Sequence, residues 1–340
     1  MPLFSQIRKT VLFVIFFVSL LASHATLAVT LPSPLVDTEW LAKNRESVVI
    51  LDIRDNADSF HKRGKGGKTA VNPCGVRRHD IIRPVAGHIP GAVLLRWRKI
   101  VSKRKVDGMK LSNMLLDKKP FEKLMSKKGL KNDSTVVLVS NAEGPKDVII
   151  TTRLYWTMKY YGHKSLAILD GGTKKWIAER RKVVFKKNRP PSSNYKVTKE
   201  LKGILATKND VSKAIKDDQV QIIDSRALQD YIGLTFSEHY TSQDRKGHIP
   251  TAKNWSVATL FNTRGIATLH PTRVASQVAN LLGIDTQKPS IVYCWSGGMA
   301  SISWFIMHEL LENNNVRLYD GSLNEWTKHK TLSMVTMEIE

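Results

Sequence analysis

The stretch Pro289-Ser290-Ile291-Val292-Tyr293-Cys294-Trp295-Ser296-Gly297-Gly298-Met299 carries a short apolar run, a cysteine, a tight glycine-bearing loop and then a helical pattern. A continuous run of β-branched and aromatic residues reads as a strand buried on both faces, as in a parallel sheet. A strand followed by a glycine loop and a helix start places the Cys294 sulfur at the carboxyl edge of that sheet. Backbone N–H groups of such a loop point at one spot, and the helix dipole adds positive potential there, which suits an anionic sulfur. The bland alternative is an inert cysteine at a strand end, since free cysteine is among the most buried residue types. The two glycines directly after it favour the reactive reading.

Working outward, the chain is written twice. Val48-Val49-Ile50-Leu51-Asp52 followed by Arg54 returns as Val220-Gln221-Ile222-Ile223-Asp224 followed by Arg226. Gly87-His88-Ile89-Pro90-Gly91-Ala92 returns as Gly247-His248-Ile249-Pro250-Thr251-Ala252. The apolar run Thr135 to Ser140 matches Pro289 to Cys294, and Asp170-Gly171-Gly172 with Trp176 matches Asp320-Gly321-Ser322 with Trp326. Landmarks in the same order in both halves define an internal repeat. Strands at 220–224, 290–294 and 316–319 alternate with helices over 208–215, 271–282 and 299–311. That alternation predicts an α/β fold of two tandem domains, each a mainly parallel sheet with helices on both faces. The expected limits are 29–185 and 203–340, joined by a linker at 186–202 that holds Pro190, Pro191, Ser192 and Ser193. A glycine-rich basic insertion, 61–85, reads as a surface loop.

The first 28 residues read as a signal peptide: Arg8 and Lys9, an apolar run from Val11 to Ala22, and cleavage expected after Ala25 or Ala28. The apolar run is short for a membrane span, so the mature chain is expected to be periplasmic or secreted. Two cysteines, Cys74 and Cys294, in 340 residues exclude a disulfide-built scaffold. The net charge of +23 is uneven: residues 29–200 hold 37 Lys and Arg against 16 Asp and Glu, while residues 201–340 hold 14 of each. The basic first half suits an anionic protein or membrane-surface partner, or a field that draws in anionic substrates, or is a plain solvated surface. No nucleic-acid recognition module is visible.

Taken as an ordered set over 35–331, the Asp-x-Arg strand ends, the Gly-His-Ile-Pro motifs, the cysteine loop and the Asp-Gly-Gly-x-x-x-Trp ending resemble the tandem-domain rhodanese family, of the thiosulfate or 3-mercaptopyruvate sulfurtransferase type. The resemblance implies a structural N-terminal copy and a catalytic C-terminal copy, in keeping with Ser140 standing where Cys294 stands. It implies a sulfurtransferase that moves sulfane sulfur from a small anionic donor to cyanide or a thiol through a Cys294 persulfide, with no cofactor and no metal. Trp295, Ser296, Gly297, Gly298 and Met299 are expected to line the donor site, with Tyr231 nearby. Arg226 either grips the donor's anionic end through its fork or is the structural partner of Asp224, which orients the site. Arg245 is a further candidate for the same pocket. His88 and His248 are expected to be architectural. The cationic loop residues of thiosulfate-specific members are absent, and Cys-x-Ser-Gly is closer to the mercaptopyruvate type, so the donor stays open. Three other readings stand beside this one. A phosphatase of related fold would need an arginine closing the cysteine loop, where this chain has Met299 and Ala300. The others are a non-catalytic binding module and a persulfide carrier that docks a protein partner.

Overall fold

The computed structural model describes residues 29–62, 84–262 and 265–337. Each half builds one five-stranded parallel sheet. In the first, β1 (Leu35–Val36), β2 (Val49–Arg54), β3 (Val93–Arg96), β6 (Val136–Val139) and β7 (Leu166–Leu169) lie in the order β1-β7-β6-β2-β3. In the second, β8 (Leu205–Ala206), β9 (Gln221–Asp224), β10 (Lys253–Asn254), β13 (Ser290–Tyr293) and β14 (Val316–Tyr319) lie in the order β10-β9-β13-β14-β8, the same order met from the opposite edge. Each sheet has an antiparallel companion: the hairpin β4–β5 (Val101–Val106, Met109–Leu115) and the short pair β11–β12 (Phe261–Asn262, Thr268–Leu269). The central strands β6, β7, β9 and β13 are buried at every position, which is why they read as unbroken apolar runs.

The helices are α1 (Thr38–Asn44), α2 (Asp58–His61), α3 (Lys118–Lys127), α4 (Pro145–Tyr160), α5 (Gly172–Ala178), α6 (Lys208–Ala214), α7 (Leu228–Tyr231), α8 (Thr272–Leu281), α9 (Ala300–Trp304) and α10 (Ser322–Trp326). Local chemistry sets their starts. Asp37 accepts the Trp40 amide at 2.7 Å, Thr207 and Asp210 form a reciprocal capping box, and Pro145 opens α4 after Gly144. The expected single helix over 299–311 divides: α9 ends at Trp304, and Phe305–Leu310 widens into a π turn closed by Leu311 N–H on Ile306 O at 2.9 Å. The wider turn carries Glu309, which accepts from Tyr155 OH at 2.6 Å and pairs with Lys159 at 3.2 Å, both on α4. The segment 186–201 has no helix or strand, but it is strapped to the first half. Ser193 and Leu201 donate to Ser126 O and Tyr160 O, Val197 donates to Glu122, and Tyr195 is buried. Within the 61–85 insertion, residues 63–83, Cys74 among them, lie outside the described residues. Val85 is buried and its N–H meets Glu143 at 2.8 Å.

One apolar cluster runs through both halves, joining Leu154, Trp156 and Met158 of α4 to Trp304, Phe305 and Ile306. The domains therefore share a core rather than touching through a wet interface. Two pseudo-symmetric contacts lie across it. Asp170, the acid of the first Asp-Gly landmark, accepts Leu269 N–H from β12 at 3.1 Å; Asp320, the acid of the second, accepts Leu115 N–H from β5 at 2.8 Å. Burial holds the Asp170 carboxyl above its usual pKa. Asp320 differs in having a cation: Arg153 of α4 pairs with it through Nη2, with Arg153 wholly buried and Asp320 4% exposed. Removing one member strands the other charge in low dielectric. Asp320→Ala is accordingly expected to cost about 3–5 kcal/mol of stability, read as a lower urea midpoint, whereas Asp58→Ala at an exposed pair leaves the midpoint in place. Equal small effects would show that the buried pair does not hold the two halves together.

Candidate active site

Cys294 follows β13 directly and is 1% exposed. Its loop is tied down from behind. The hydroxyl of Ser322 accepts the amides of Cys294 at 3.2 Å and Gly297 at 3.1 Å while donating to Tyr319 O at 2.8 Å. Leu323 N–H meets Cys294 O and Asn324 N–H meets Trp295 O, so the first turn of α10 clamps the loop from one side. Ser322 has φ +49°, the left-handed region that its counterpart Gly172 occupies at φ +51° without penalty. A serine held there costs about 1 kcal/mol of backbone strain, and the hydroxyl it brings is what holds two loop amides in place.

The loop has an outer wall supplied by the other domain. Gly297 has φ +76°, and a Cβ there would stand 2.6 Å from Arg153 Nη1 and 3.2 Å from Asp320 Oδ1. A side chain at 297 would thus collide with the inter-domain ion pair. Arg153 Nη1 and Nε have no hydrogen-bond partner among the described residues, and its guanidinium lies 4.8 Å over the Trp156 ring. Above the loop, Asn113 of β5 donates to Tyr240 OH at 2.8 Å and, more weakly, to Ser296 Oγ at 3.4 Å. Trp295 is 8% exposed, stacked under Tyr240 with centroids 6.0 Å apart and over the Arg226 guanidinium at 4.3 Å. The cysteine therefore sits beneath a roof built from both domains.

The expected residues fall into three groups. Cys294, Trp295, Ser296, Gly297, Gly298 and Met299 form the loop itself, with Gly298 and Met299 partly exposed and the rest buried. Asp224 and Arg226 lie beneath Trp295 as a fully buried pair: Arg226 Nε reaches Asp224 Oδ1 at 3.0 Å, Nη2 reaches Oδ2 at 2.6 Å, and Nη2 also donates to Gly247 O at 2.7 Å. Burial works against the Arg226 charge, but the Asp224 carboxylate outweighs it and keeps the pKa above its ordinary value. Arg226 is thus paired with Asp224, while its Nη1 has no hydrogen-bond partner among the described residues. Arg245 is the correction. Its guanidinium is spent on the carbonyls of Thr327, His329 and Leu332 at 3.3, 3.3 and 2.6 Å, where it braces the C-terminal segment instead of reaching toward the sulfur. Tyr231 stacks on His248 at 3.8 Å and donates to Ala252 O at 2.7 Å, so it secures the Gly-His-Ile-Pro turn. His88 and His248 bond backbone carbonyls, and burial pushes both below the usual imidazole range.

Sequence reasoning missed two contributors. Ser322 had a visible signal, because it is where the two copies of the Asp-Gly landmark differ. Arg153 had a weaker one: an arginine inside α4, a helix buried along nearly its whole length, must be paired. Among the described residues, Asp107, Glu325 and His329 are close enough to share a cation. Lys208 already places its ammonium there, 2.9 Å from Asp107 and 3.0 Å from His329. In the other half, the loop after Ser140 carries Glu143, which is bonded to Val85 N–H and Asn141, and an acid in that place opposes an anionic sulfur.

Comparison with known proteins agrees with this layout. The model of the rhodanese-like domain matches residues 37–179 and again 207–329. A Saccharopolyspora erythraea protein, named provisionally as a thiosulfate sulfurtransferase, is 34% identical over 311 residues, covering 89% of this chain and 95% of its own. The sulfur carrier protein TtuD of Thermus thermophilus is 30% identical over 303 residues, covering 87% and 94%. The crystal structure of SseA from Escherichia coli, described as a 3-mercaptopyruvate sulfotransferase, superposes with a TM-score of 0.66 at 23% identity, over 85% of this chain and 98% of that one, which shows a shared fold.

The Ser322 tether is testable without unfolding the protein. Ser322→Gly removes the hydroxyl and relieves the backbone strain, so thermal stability is expected to stay close to the parent. Sulfur transfer is expected to fall on the order of tenfold to a hundredfold, because a loop displaced by about 1 Å misplaces the reacting atom. Unchanged transfer by Ser322→Gly would remove the tether from the account.

Proposed function

The chain belongs to the rhodanese-like family, and from that premise we propose that it is an exported sulfurtransferase whose Cys294 carries sulfur as a persulfide. The single observation that carries this is the intact loop of the second copy: a buried cysteine at a strand end, two loop amides tied by Ser322, and a helix beginning directly behind it. The Arg226–Asp224 and Arg153–Asp320 pairs beside the loop are each internally neutralised. Stabilisation of an anionic sulfur then falls to the loop amides that Ser322 does not hold and to the helix start, which also suits a covalent route needing no cofactor.

The chemistry runs in two halves. The Cys294 thiolate attacks the sulfane sulfur of thiosulfate, the S–S bond breaks, and sulfite departs with the electron pair. With 3-mercaptopyruvate the C–S bond breaks instead, and the carbon fragment leaves as pyruvate after taking up a proton. An acceptor nucleophile, cyanide or a thiolate, then attacks the outer sulfur and restores the Cys294 thiolate. Cationic clamps for a dianion are missing from the loop, where Trp295 and Ser296 stand, and this favours the singly charged 3-mercaptopyruvate over thiosulfate. A second reading, a carrier that hands its persulfide to a protein, gains support from the named role of the Thermus relative.

After donor treatment, intact mass is expected to rise by about one sulfur, about 32 Da. Cys294→Ala should abolish the rise and Cys74→Ser should retain it. An adduct persisting in Cys294→Ala overturns the assignment. A persulfide that forms fully but turns over slowly with cyanide, and quickly with a protein thiol, selects the carrier reading.

A further inference from the structure

A cavity of about 650 Å³ lies in the first domain, away from the sulfur loop. Its walls are the edge of β3 with the turn that follows and one face of α3. Arg96, Arg98 and Lys99 stand on the first wall, and Lys123, Lys127 and Lys128 on the second, with no acid among the lining residues. Its floor is apolar, formed by Leu95, Leu116 and Leu124 among others. None of the six cations makes an ion pair among the described residues; Lys128 donates to Leu94 O at 2.6 Å. Burial, and then Arg96 beside it, holds the Lys128 ammonium below its usual range.

We infer that this cleft is a docking groove for an extended acidic segment of a partner protein, with acidic and aliphatic side chains in alternation. Lys123 and Lys127 are one helical turn apart, about 5–6 Å between Cβ atoms, and same-side residues of an extended chain are spaced about 6–7 Å. Acids at alternate positions can therefore meet successive lysines along the rim, while the residues between them face the leucine floor. The cleft's volume lies in the range of ligand sites, roughly 300–1,000 Å³, and holds a few residues of chain. A bilayer surface does not enter a concave cleft, and a nucleic-acid strand would want aromatic stacking platforms that this lining lacks. Lys128 covers the β3 edge at Leu94, so recognition rests on side chains rather than on an added strand. Val101 and Leu116 of the lining flank the β4–β5 hairpin, whose Asn113 reaches Ser296, so a partner held there lies alongside the arm that touches the sulfur loop. The proposal rests on the sulfur-transfer reading only for its purpose, delivery of an acceptor, and not for binding.

The test is fluorescence anisotropy of the mature chain with a labelled eight-residue peptide alternating glutamate and leucine. Saturable binding is expected, weakened on the order of tenfold or more by the double variant Lys123→Glu/Lys127→Glu and by moderate salt. A peptide of the same composition with its glutamates and leucines in two separate blocks should bind at least about tenfold more weakly, because its charges fall out of register. Transfer to cyanide should be unchanged in the double variant, which separates failure of the groove from failure of the sulfur chemistry. Absence of binding, or binding indifferent to the variant or to the order of residues, overturns the proposal. So does a chain that sediments with anionic phosphatidylserine vesicles in a Lys123/Lys127-dependent way while ignoring the peptide.

Discussion

The Arg153–Asp320 pair is the constraint on which the catalytic half depends. A guanidinium from the middle of α4 enters the second domain and meets the acid of its Asp-Gly turn, with both groups almost fully out of water. That pairing is supported on both sides: Leu115 N–H takes the second carboxylate oxygen, Arg153 Nη2 also donates to Asn113 O at 3.2 Å, and the guanidinium lies over Trp156. From there the constraint spreads. Asp320 fixes the start of α10, and Ser322, two residues on, holds the amides of Cys294 and Gly297. Leu115 fixes β5, and Asn113 on the same strand reaches Tyr240 and Ser296 of the cysteine loop.

This arrangement gives the first copy a structural part, although Ser140 stands where the second copy has Cys294. The first domain contributes the wall behind Gly297, part of the roof over Ser296, and half of a shared apolar core. Its own loop carries Glu143, which is hydrogen-bonded into the fold. The charge follows the same division. Excess positive charge lies on the first domain, whereas the arginines beside the sulfur are matched one to one by carboxylates.

Much of this was legible in the residues. Repeated landmarks gave the two domains, and unbroken apolar runs gave the buried parallel strands, because both signals are local and periodic. The cysteine loop was legible because strand, glycine pair and helix start adjoin in sequence. Arg245 misled, since proximity to Gly247 in sequence says nothing about the C-terminal carbonyls that fold back to claim it. Arg153 is 141 residues from Cys294, and no spacing rule links a helix of one domain to a loop of the other. The π turn after Trp304 was hidden for a related reason: its register answers to Tyr155 and Lys159 across the interface.

The most direct test of the central claim, one sulfur-bearing loop in a chain of two copies, is the stoichiometry of the first turnover. The protein is mixed in excess donor without acceptor, and released sulfite or pyruvate is counted per chain in a quenched-flow experiment. A burst approaching one equivalent is expected with thiosulfate or with 3-mercaptopyruvate, followed by little further release until cyanide or a thiol is added. A burst of two equivalents, no burst with either donor, or a burst that survives Cys294→Ala would contradict it.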